Sequence, residues 1–482
     1  MLLSVLRDKK MTYAFTFDAS ACSGCKACQV ACKDKNNLPV GVLWRRVYEV
    51  SGGDWYSVGA GSPRPGSENG ARGPRPYSVW ENTVFAYNLS IACNHCVHPK
   101  CAGVCPTDAY VVRDDGIVYI EESKCMGCGY CSWACPYAAP QYNPQAGHMT
   151  KCDFCYDNID AGLSPTCVAA CPMRVLDFDD VNGASQDGGG VALWEAPSDT
   201  HPYPLPSFSH TEPHLVIQSH VGMLNDLDKA VSNQEEIKPK KSKGEVSLVA
   251  FTLLTQMAVG MAIFLLFSGP LSLPLLVVLG GMIGVSGLVS VLHLGTPLNA
   301  WRALNHLKKS WLSREILMFG LFGGSWLLCL AMPGMGKLPL ALCGIGLIYS
   351  MAQVYRLRSI PAWDTHRTLL TFIVSAVLLG GLGLGMVHAF GSAVAQSGFI
   401  LVSGTGLIGA LLLSLTDRDH AHQAAHRLRL GLIGVGLIGV AAMYIVPSAV
   451  RGWLMIPIFL IVLLEETVGR WLFNEHLHRR IL

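Results

Sequence analysis

The hydrophobic positions divide the chain at about residue 245. Beyond it eight long apolar stretches follow one another, at roughly 246–267, 274–294, 315–333, 338–355, 368–390, 397–415, 430–447 and 453–473, separated by short loops. Most are near the ~20 residues a helix needs to cross a bilayer, and eight in succession are poorly explained as buried helices of a soluble protein. Before residue 245 the pattern changes. Short alternating runs such as YAFTFD, GIVYI and VLDF punctuate a stretch rich in Cys, Pro and Gly, which predicts small β units, short helices and many turns. Residues 57–78, SVGAGSPRPGSENGARGPRPYS, have no periodicity and are expected to be an exposed loop. Three parts are therefore expected: a folded domain over 11–220, a linker over 221–245 with the basic end KPKKSKGE, and a membrane domain over 246–482.

Charge sharpens the membrane reading. The 482 residues carry only 15% charged positions and a formal net charge of +2, which says little about partners; no nucleic-acid partner is expected. Eight crossings put both ends of the membrane domain on one side. That side holds Lys238, Lys240, Lys241, Lys243, Arg302, Lys308, Lys309, Arg314, Arg356, Arg358, Arg367, Arg418, Arg427, Arg429, Arg470, Arg479 and Arg480, against Lys337 and Arg451 opposite. The positive-inside rule predicts that both termini and the amino-terminal domain are cytoplasmic, at a bacterial plasma membrane. MLLSVLRDKKM shows neither a secretory signal nor a twin-arginine pair, which agrees with that expectation. Arg302, Arg314, Arg356 and Arg358 are expected to set topology, and Trp311 and Trp363 to sit in an interfacial belt.

Sixteen of the eighteen cysteines precede residue 172, in four groups: Cys22, Cys25, Cys28, Cys32; Cys93, Cys96, Cys101, Cys105; Cys125, Cys128, Cys131, Cys135; and Cys152, Cys155, Cys167, Cys171. Two groups are spaced C-x2-C-x2-C-x3-C, and three end in Cys-Pro. That is the ligand pattern of two-cluster bacterial ferredoxins, where three close thiolates hold one cluster and the fourth reaches another. Structural zinc suits an isolated CxxC pair but not four such groups, and a disulfide framework fits the spacing poorly. Four [4Fe-4S] clusters are expected on sixteen cysteines. Lys26, Lys33, Lys124 and Lys151, beside ligand positions, are candidates to balance the buried anions.

Residues 13 to about 220 resemble the iron-sulfur subunit of bacterial dimethyl sulfoxide reductase, through CSGCKACQVACKD, WRRVYEVSGGDW, NLSIACNHC, CPTDA, CMGCGYCSWACPYAAPQYN and GHMTKCDFCYD. Residues 246–482 resemble the membrane anchor subunit of the same family, through VLHLGTPLNAWRALN, SWLSREI, QVYRLRSIPAW and EETVGRWLF. The anchor is normally a separate polypeptide in that family, and here it follows its electron partner directly. The resemblance implies crossed ligand sets: Cys22, Cys25, Cys28 with Cys171; Cys152, Cys155, Cys167 with Cys32; Cys93, Cys96, Cys101 with Cys135; and Cys125, Cys128, Cys131 with Cys105. It also implies a separate large molybdopterin subunit, for which this chain has no residues, and menaquinol binding near His293 and Glu315. The 57–78 loop looks longer than the family's.

Crossing parity places His293, Glu315, Glu465 and Glu466 at the face carrying the amino-terminal domain, and His388 at the opposite face. Oxidising a quinol releases protons as well as electrons, and clusters take only electrons. His293 and Glu315 are the candidate proton acceptors, since a histidine and a desolvated carboxylate both suit that task. Glu315 also has a simpler reading as an acidic residue near a helix start. Glu466 is expected to pair with Arg470 at i, i+4, and His388 to be structural.

The fold expected is an α+β ferredoxin-like four-cluster domain followed by an all-α polytopic domain of eight transmembrane helices. Its expected function is electron transfer between membrane quinol, menaquinol or ubiquinol, and a separate molybdopterin subunit that reduces dimethyl sulfoxide or a similar S- or N-oxide. Two rivals have definite content: the same relay run in reverse, from sulfite or another sulfur compound to quinone, and a non-redox anchor with no quinone site. An ion-translocating role would call for mid-span carboxylates, which the sequence lacks.

Overall fold

A computed structural model describes residues 12–52, 55–58, 79–82, 84–181, 191–192, 210–218, 229–232, 243–267, 271–292, 294–388, 393–416 and 423–475. Thirteen short strands are described in the amino-terminal half. They are β1 (Tyr13–Asp18), β2 (Arg46–Gly52), β3 (Trp55–Val58), β4 (Val79–Asn82), β5 (Phe85–Ile91), β6 (Tyr110–Val112), β7 (Val118–Ile120), β8 (Gln141–Asn143), β9 (His148–Thr150), β10 (Leu176–Asp180), β11 (Val191–Ala192), β12 (Leu215–Gln218) and β13 (Lys229–Ser232). β1 lies between antiparallel β10 and parallel β12, and β11 completes that sheet on the far side of β12. β2 lies between β5 and β13, both antiparallel. The other strands form two-stranded ladders.

The β1 register follows from its sequence. Phe15 and Phe17 face inward and are buried, as period-2 alternation requires. Phe15 stacks on Phe154, ring centres 4.2 Å apart. The buried core around them includes Leu89, Ile91 and Ile217, but also Cys32, Cys93, Cys135, Cys152, Cys167 and Cys171. Cysteines thus occupy positions that aliphatic side chains hold in an ordinary domain of this size.

Among the described residues the carboxy-terminal half has eight long helices: Lys243–Phe264, Leu273–Leu292, Trp311–Ala331, Pro333–Tyr355, His366–Val387, Ala393–Leu415, Gln423–Ile445 and Ser448–Glu475. Seven are long and apolar enough to cross a membrane; the described apolar part of the sixth is shorter, Ile400–Leu415. The first and fifth helices pack backbone to backbone. A Cβ on Gly260 would lie 1.9 Å from the Ala376 carbonyl oxygen, and one on Gly380 2.4 Å from Gly260. Small residues let membrane helices approach this closely.

Several boundaries and roles differ from the sequence reading. Lys229–Ser232, inside the expected linker, form β13 because β2 offers them an unpaired edge. The third helix begins at Trp311 rather than 315, with Ser310 Oγ accepting from Ser313 N at 3.4 Å, so Glu315 lies one turn inside it. Trp363 does not sit in a belt: it is 1% exposed, stacks on Phe473 with centres 5.2 Å apart, and donates from its indole to the Phe473 carbonyl at 2.8 Å. In the 57–78 loop, Ser57 and Val58 belong to β3, which pairs with β4; residues 59–78 lie outside the described residues.

The two halves meet along the connections between helices two and three and between helices four and five. Thr296 N donates to Met126 O at 3.2 Å, and Thr296 Oγ1 to Cys125 O at 2.6 Å. Asn299 Nδ2 donates to Cys125 O at 2.9 Å, and His306 Nδ1 to Cys105 O at 2.6 Å. Tyr130 Oη donates to Val354 O at 3.0 Å, and Ser359 Oγ to Trp133 O at 2.5 Å. Gly295 is required at this seam, because a Cβ there would stand 1.8 Å from the Gly147 carbonyl oxygen. Gly295→Ala is predicted to loosen it by about 1–3 kcal/mol, the usual cost of overpacking. Hydrogen exchange should rise over residues 123–133 and 294–310 and stay unchanged in β1 and β12.

Candidate functional site

The structure gathers the cysteines across their sequence groups. Cys22, Cys25, Cys28 and Cys171 line one space of about 320 Å³. Cys93, Cys96, Cys101 and Cys135 line another of about 380 Å³. Cys32 lies within electrostatic reach of Cys155 and Cys167, and Cys152 of Cys32 and Cys155. Cys105 is the neighbour of Cys125, Cys128 and Cys131 in the same sense. Each gathering joins three cysteines of one group to the last cysteine of another.

Local backbone geometry explains how short loops bend around such spaces. Lys26, Gly129 and Cys155 each adopt left-handed backbone just before a short helix: α1 (Ala27–Lys35), α2 (Tyr130–Ala134) and α3 (Tyr156–Asp160) respectively. Gly127, between Cys125 and Cys128, has φ 71°, and a side chain there would strike the Gly147 carbonyl as well. These turns aim amides at sulfur. Gly127 N donates to Cys125 Sγ, Phe154 N to Cys152 Sγ and Ala109 N to Cys105 Sγ, each at 3.4 Å.

The donor set discriminates between metal centres. Among the described residues no three His, Cys, Asp or Glu side chains stand close enough together to hold a single ion. Four thiols around an open space suit a larger core that brings its own sulfides. Burial and mutual repulsion push the Cys32 thiol up to about 12, and burial pushes Cys128 to about 12. Such thiols become stable thiolates only against compensating positive charge, which iron would supply. The residues present therefore fit [4Fe-4S] clusters.

Of the four lysines singled out from the sequence, one is buried. Lys151 is 3% exposed, donates to the Val118 and Cys152 carbonyls, and lies near Cys93 and Cys101. Lys26 and Lys33 are half-buried, and Lys124 is paired with Glu121 at 2.5 Å. Arg45 was not legible as a site residue. It is 2% exposed, lies 4.4 Å over the Phe15 ring, and has Cys167, Cys152, Cys28 and Cys32 as its strongest electrostatic neighbours. An arginine two residues into WRRVYE has no spacing that would mark it.

At the seam, the tetrad of Cys105, Cys125, Cys128 and Cys131 is the one set against the helices. The carbonyls of Cys105 and Cys125 accept from His306, Thr296 and Asn299. Tyr130, between Cys128 and Cys131, packs with Ala134, Val354 and Leu357. Burial, then the nearby Glu315 carboxyl, push its phenol well above the usual range. Glu315 is 7% exposed, has no ion-pair partner among the described residues, and lies in electrostatic reach of both Tyr130 and Tyr355. Trp133 adds its ring against Tyr355 and Trp363, centres 5.8 and 5.7 Å away. His293 lies outside the described residues.

Comparison with known proteins places these features. Residues 84–181 match the 4Fe-4S dicluster domain family, and residues 241–403 match the DMSO reductase anchor subunit (DmsC) family. The protein is 45% identical over 206 residues to the B subunit of anaerobic dimethyl sulfoxide reductase from Escherichia coli K12, covering 43% of this chain and 88% of that protein. The chain belongs to the dimethyl sulfoxide reductase iron-sulfur subunit family. It is also 42% identical over 227 residues to YnfG, a probable anaerobic dimethyl sulfoxide reductase subunit of the same strain, covering 47% of this chain and 98% of that one. To the thiosulfate reductase electron transfer subunit PhsB of Salmonella typhi it is 36% identical over 167 residues, 34% of this chain and 74% of that one. An iron-sulfur subunit of this family and a multi-pass membrane anchor thus share one polypeptide.

The remaining candidates belong to the bundle. Glu466 faces Arg470 as its main charged neighbour but makes no direct ion-pair contact with it among the described residues; it accepts from Ser375 Oγ at 2.7 Å, while Arg470 Nη2 donates to Gln256 Oε1 at 2.9 Å and its guanidinium lies 4.2 Å over Phe372. Both residues point into the bundle, where groups from other helices take up their hydrogen bonds. Glu465 is fully buried and pairs with Arg429 at 2.8 Å. His388 caps the fifth helix at the end away from the seam. Arg429→Ala is predicted to destabilise the helical half by about 3–5 kcal/mol, because it strands a buried carboxylate. Thermal unfolding in detergent should show the loss, and the double change Arg429→Leu with Glu465→Leu should recover most of it.

Proposed function

We propose that the chain is the electron-transfer and membrane-anchor subunit of a respiratory molybdenum oxidoreductase, divided into a cluster domain over 11–220, a linker over 221–245 and an anchor over 246–482. Four [4Fe-4S] clusters would be held by Cys22, Cys25, Cys28 and Cys171; by Cys32, Cys152, Cys155 and Cys167; by Cys93, Cys96, Cys101 and Cys135; and by Cys105, Cys125, Cys128 and Cys131. Bound clusters supply one-electron transfer. The partner is a separate molybdopterin subunit, and the names of the relatives support reduction of dimethyl sulfoxide or a similar S- or N-oxide there.

The observation that carries this reading is the position of Glu315. A buried carboxyl, with no ionic partner among the described residues, stands beside Tyr130 of the tetrad nearest the helices. Ionisable groups inside membrane domains are costly and mark ion or proton pathways by default. Quinol gives up two protons and two electrons, and here a proton acceptor and an electron acceptor lie at one seam. Glu315 receives a proton from a quinol hydroxyl, His293, two residues before Gly295 in the sequence, assists, and the aromatic side chains of Tyr130, Trp133, Tyr355 and Trp363 exclude water from the path between. Separate positioning of proton and electron acceptors is what a substrate losing both requires.

The charge bias of the connecting loops supports cytoplasmic termini and a cytoplasmic cluster domain in a bacterial inner membrane. A reporter fused after Leu482 is predicted to be active in the cytoplasm; activity only outside would refute that orientation. Glu315→Gln, which keeps shape and removes the proton acceptor, is predicted to slow quinol-dependent cluster reduction by about 10²-fold or more, the usual worth of a general base. Reduction of the same clusters by dithionite should be unaffected. Glu315→Gln and His293→Ala proteins that both reduce at the native rate from quinol would leave a plain anchor as the better reading.

A further inference from the structure

Among the described residues, Arg45 is a charge buried without a carboxylate partner. It is 2% exposed, and the groups its side chain bonds are neutral: Nη1 donates to Ser90 O at 3.3 Å and to Ser90 Oγ at 3.2 Å. Nε and Nη2 have no hydrogen-bond partner among the described residues. An uncompensated guanidinium in a protein core costs several kcal/mol, and two unmet N–H groups add to that. The fold nevertheless holds it firmly, with the Phe15 ring at 4.4 Å.

What surrounds it are ligand positions of two different sets. Cys28 belongs to the set with Cys22, Cys25 and Cys171, whereas Cys32, Cys152 and Cys167 belong to the next, and all four thiols dominate the electrostatic surroundings of Arg45. Its own backbone N–H donates to Cys32, and Ser90, which holds its guanidinium, also contacts Cys28 Sγ at 3.3 Å. Arg45 therefore stands at the junction of two tetrads. We propose that Arg45 is the shared counter-cation of these two clusters, a positioning residue that donates its free N–H groups to cluster sulfur and holds both reduction potentials up.

The sign follows from charge. A cluster with four thiolates is an anion and gains one more negative charge when an electron arrives from the quinol side, so a fixed cation favours the reduced state. Lysine keeps the charge, while methionine keeps bulk and removes it. The seam contacts are made by other residues, so the effect of Arg45 is confined to the outer pair. The inference rests on the four-cluster reading, whose own failure would appear separately as native protein that binds no iron.

The test is a redox titration of the full chain, purified anaerobically and followed by EPR, with the outer signals assigned from Cys22→Ser and Cys152→Ser proteins. In Arg45→Met the reduced-to-oxidised ratio of the outer pair at a fixed potential should fall about tenfold, which is ~59 mV for a one-electron couple. The two clusters nearer the helices should not move, and Arg45→Lys should titrate like the native protein. Unchanged or raised outer potentials in an iron-replete Arg45→Met protein, or an equal shift of all four clusters, would overturn the proposal. Should Arg45→Met assemble without its outer clusters, Arg45→Lys decides: clusters regained at native potentials support a role for charge. Lysine protein equally without them, or with lowered potentials, overturns it.

Discussion

Two loops that belong to different chemistries are hydrogen-bonded to each other at the seam. On one side are the carbonyls of Cys105 and Cys125, and on the other Thr296, Asn299 and His306, all from the connection between the second and third helices. Cysteine-bearing backbone is thereby fixed directly to helix-bearing backbone, with no side-chain layer between Gly147 and Gly295. Electron transfer falls steeply with distance, so a relay fed from a bilayer needs one centre held rigidly near the lipid phase. Aromatic contacts reinforce this arrangement. Trp133, Tyr355, Trp363 and Phe473 form a continuous set of ring contacts, each such pair contributing ~0.5–1.5 kcal/mol beyond simple burial.

The rest of the amino-terminal half follows from placing large anions where a hydrophobic core would be. Sheets stay small and turns numerous because left-handed residues must wrap cysteine loops around each space. Buried cations become necessary for the same reason. Lys151 sits near Cys93, Cys101 and Cys152, and Arg45 beside Cys28, Cys32, Cys152 and Cys167. In the helical half the corresponding demand is met by closing polar groups on one another, as Arg429 does with Glu465 and Ser375 with Glu466.

Legibility in the sequence tracked how local each feature is. Cysteine spacing is set by neighbours a few residues away, so the iron-sulfur character of the domain could be read from C-x2-C-x2-C-x3-C alone. Helices reveal themselves through run length, and all eight apolar stretches correspond to helices, although Trp311 rather than residue 315 starts the third because Ser310 provides its cap. Features created by packing between distant segments were missed. Trp363 resembled a belt residue until Phe473 covered it, the hydrogen bonds of Glu466 and Arg470 go to Ser375 and Gln256 rather than to each other, and β13 lay hidden in a linker until the edge of β2 appeared. Arg45 is the clearest case, since only the folded chain surrounds it with cysteines of both the first and the fourth sequence groups.

The central claim is that quinol chemistry and the tetrad of Cys105, Cys125, Cys128 and Cys131 share one seam. The most direct measurement is EPR of the fully reduced full-length protein with and without a bound quinol analogue. The analogue should alter the line shape or relaxation of the cluster on that tetrad and leave the cluster on Cys22, Cys25, Cys28 and Cys171 untouched. An analogue that binds yet perturbs no cluster, or perturbs the outermost one instead, would contradict it.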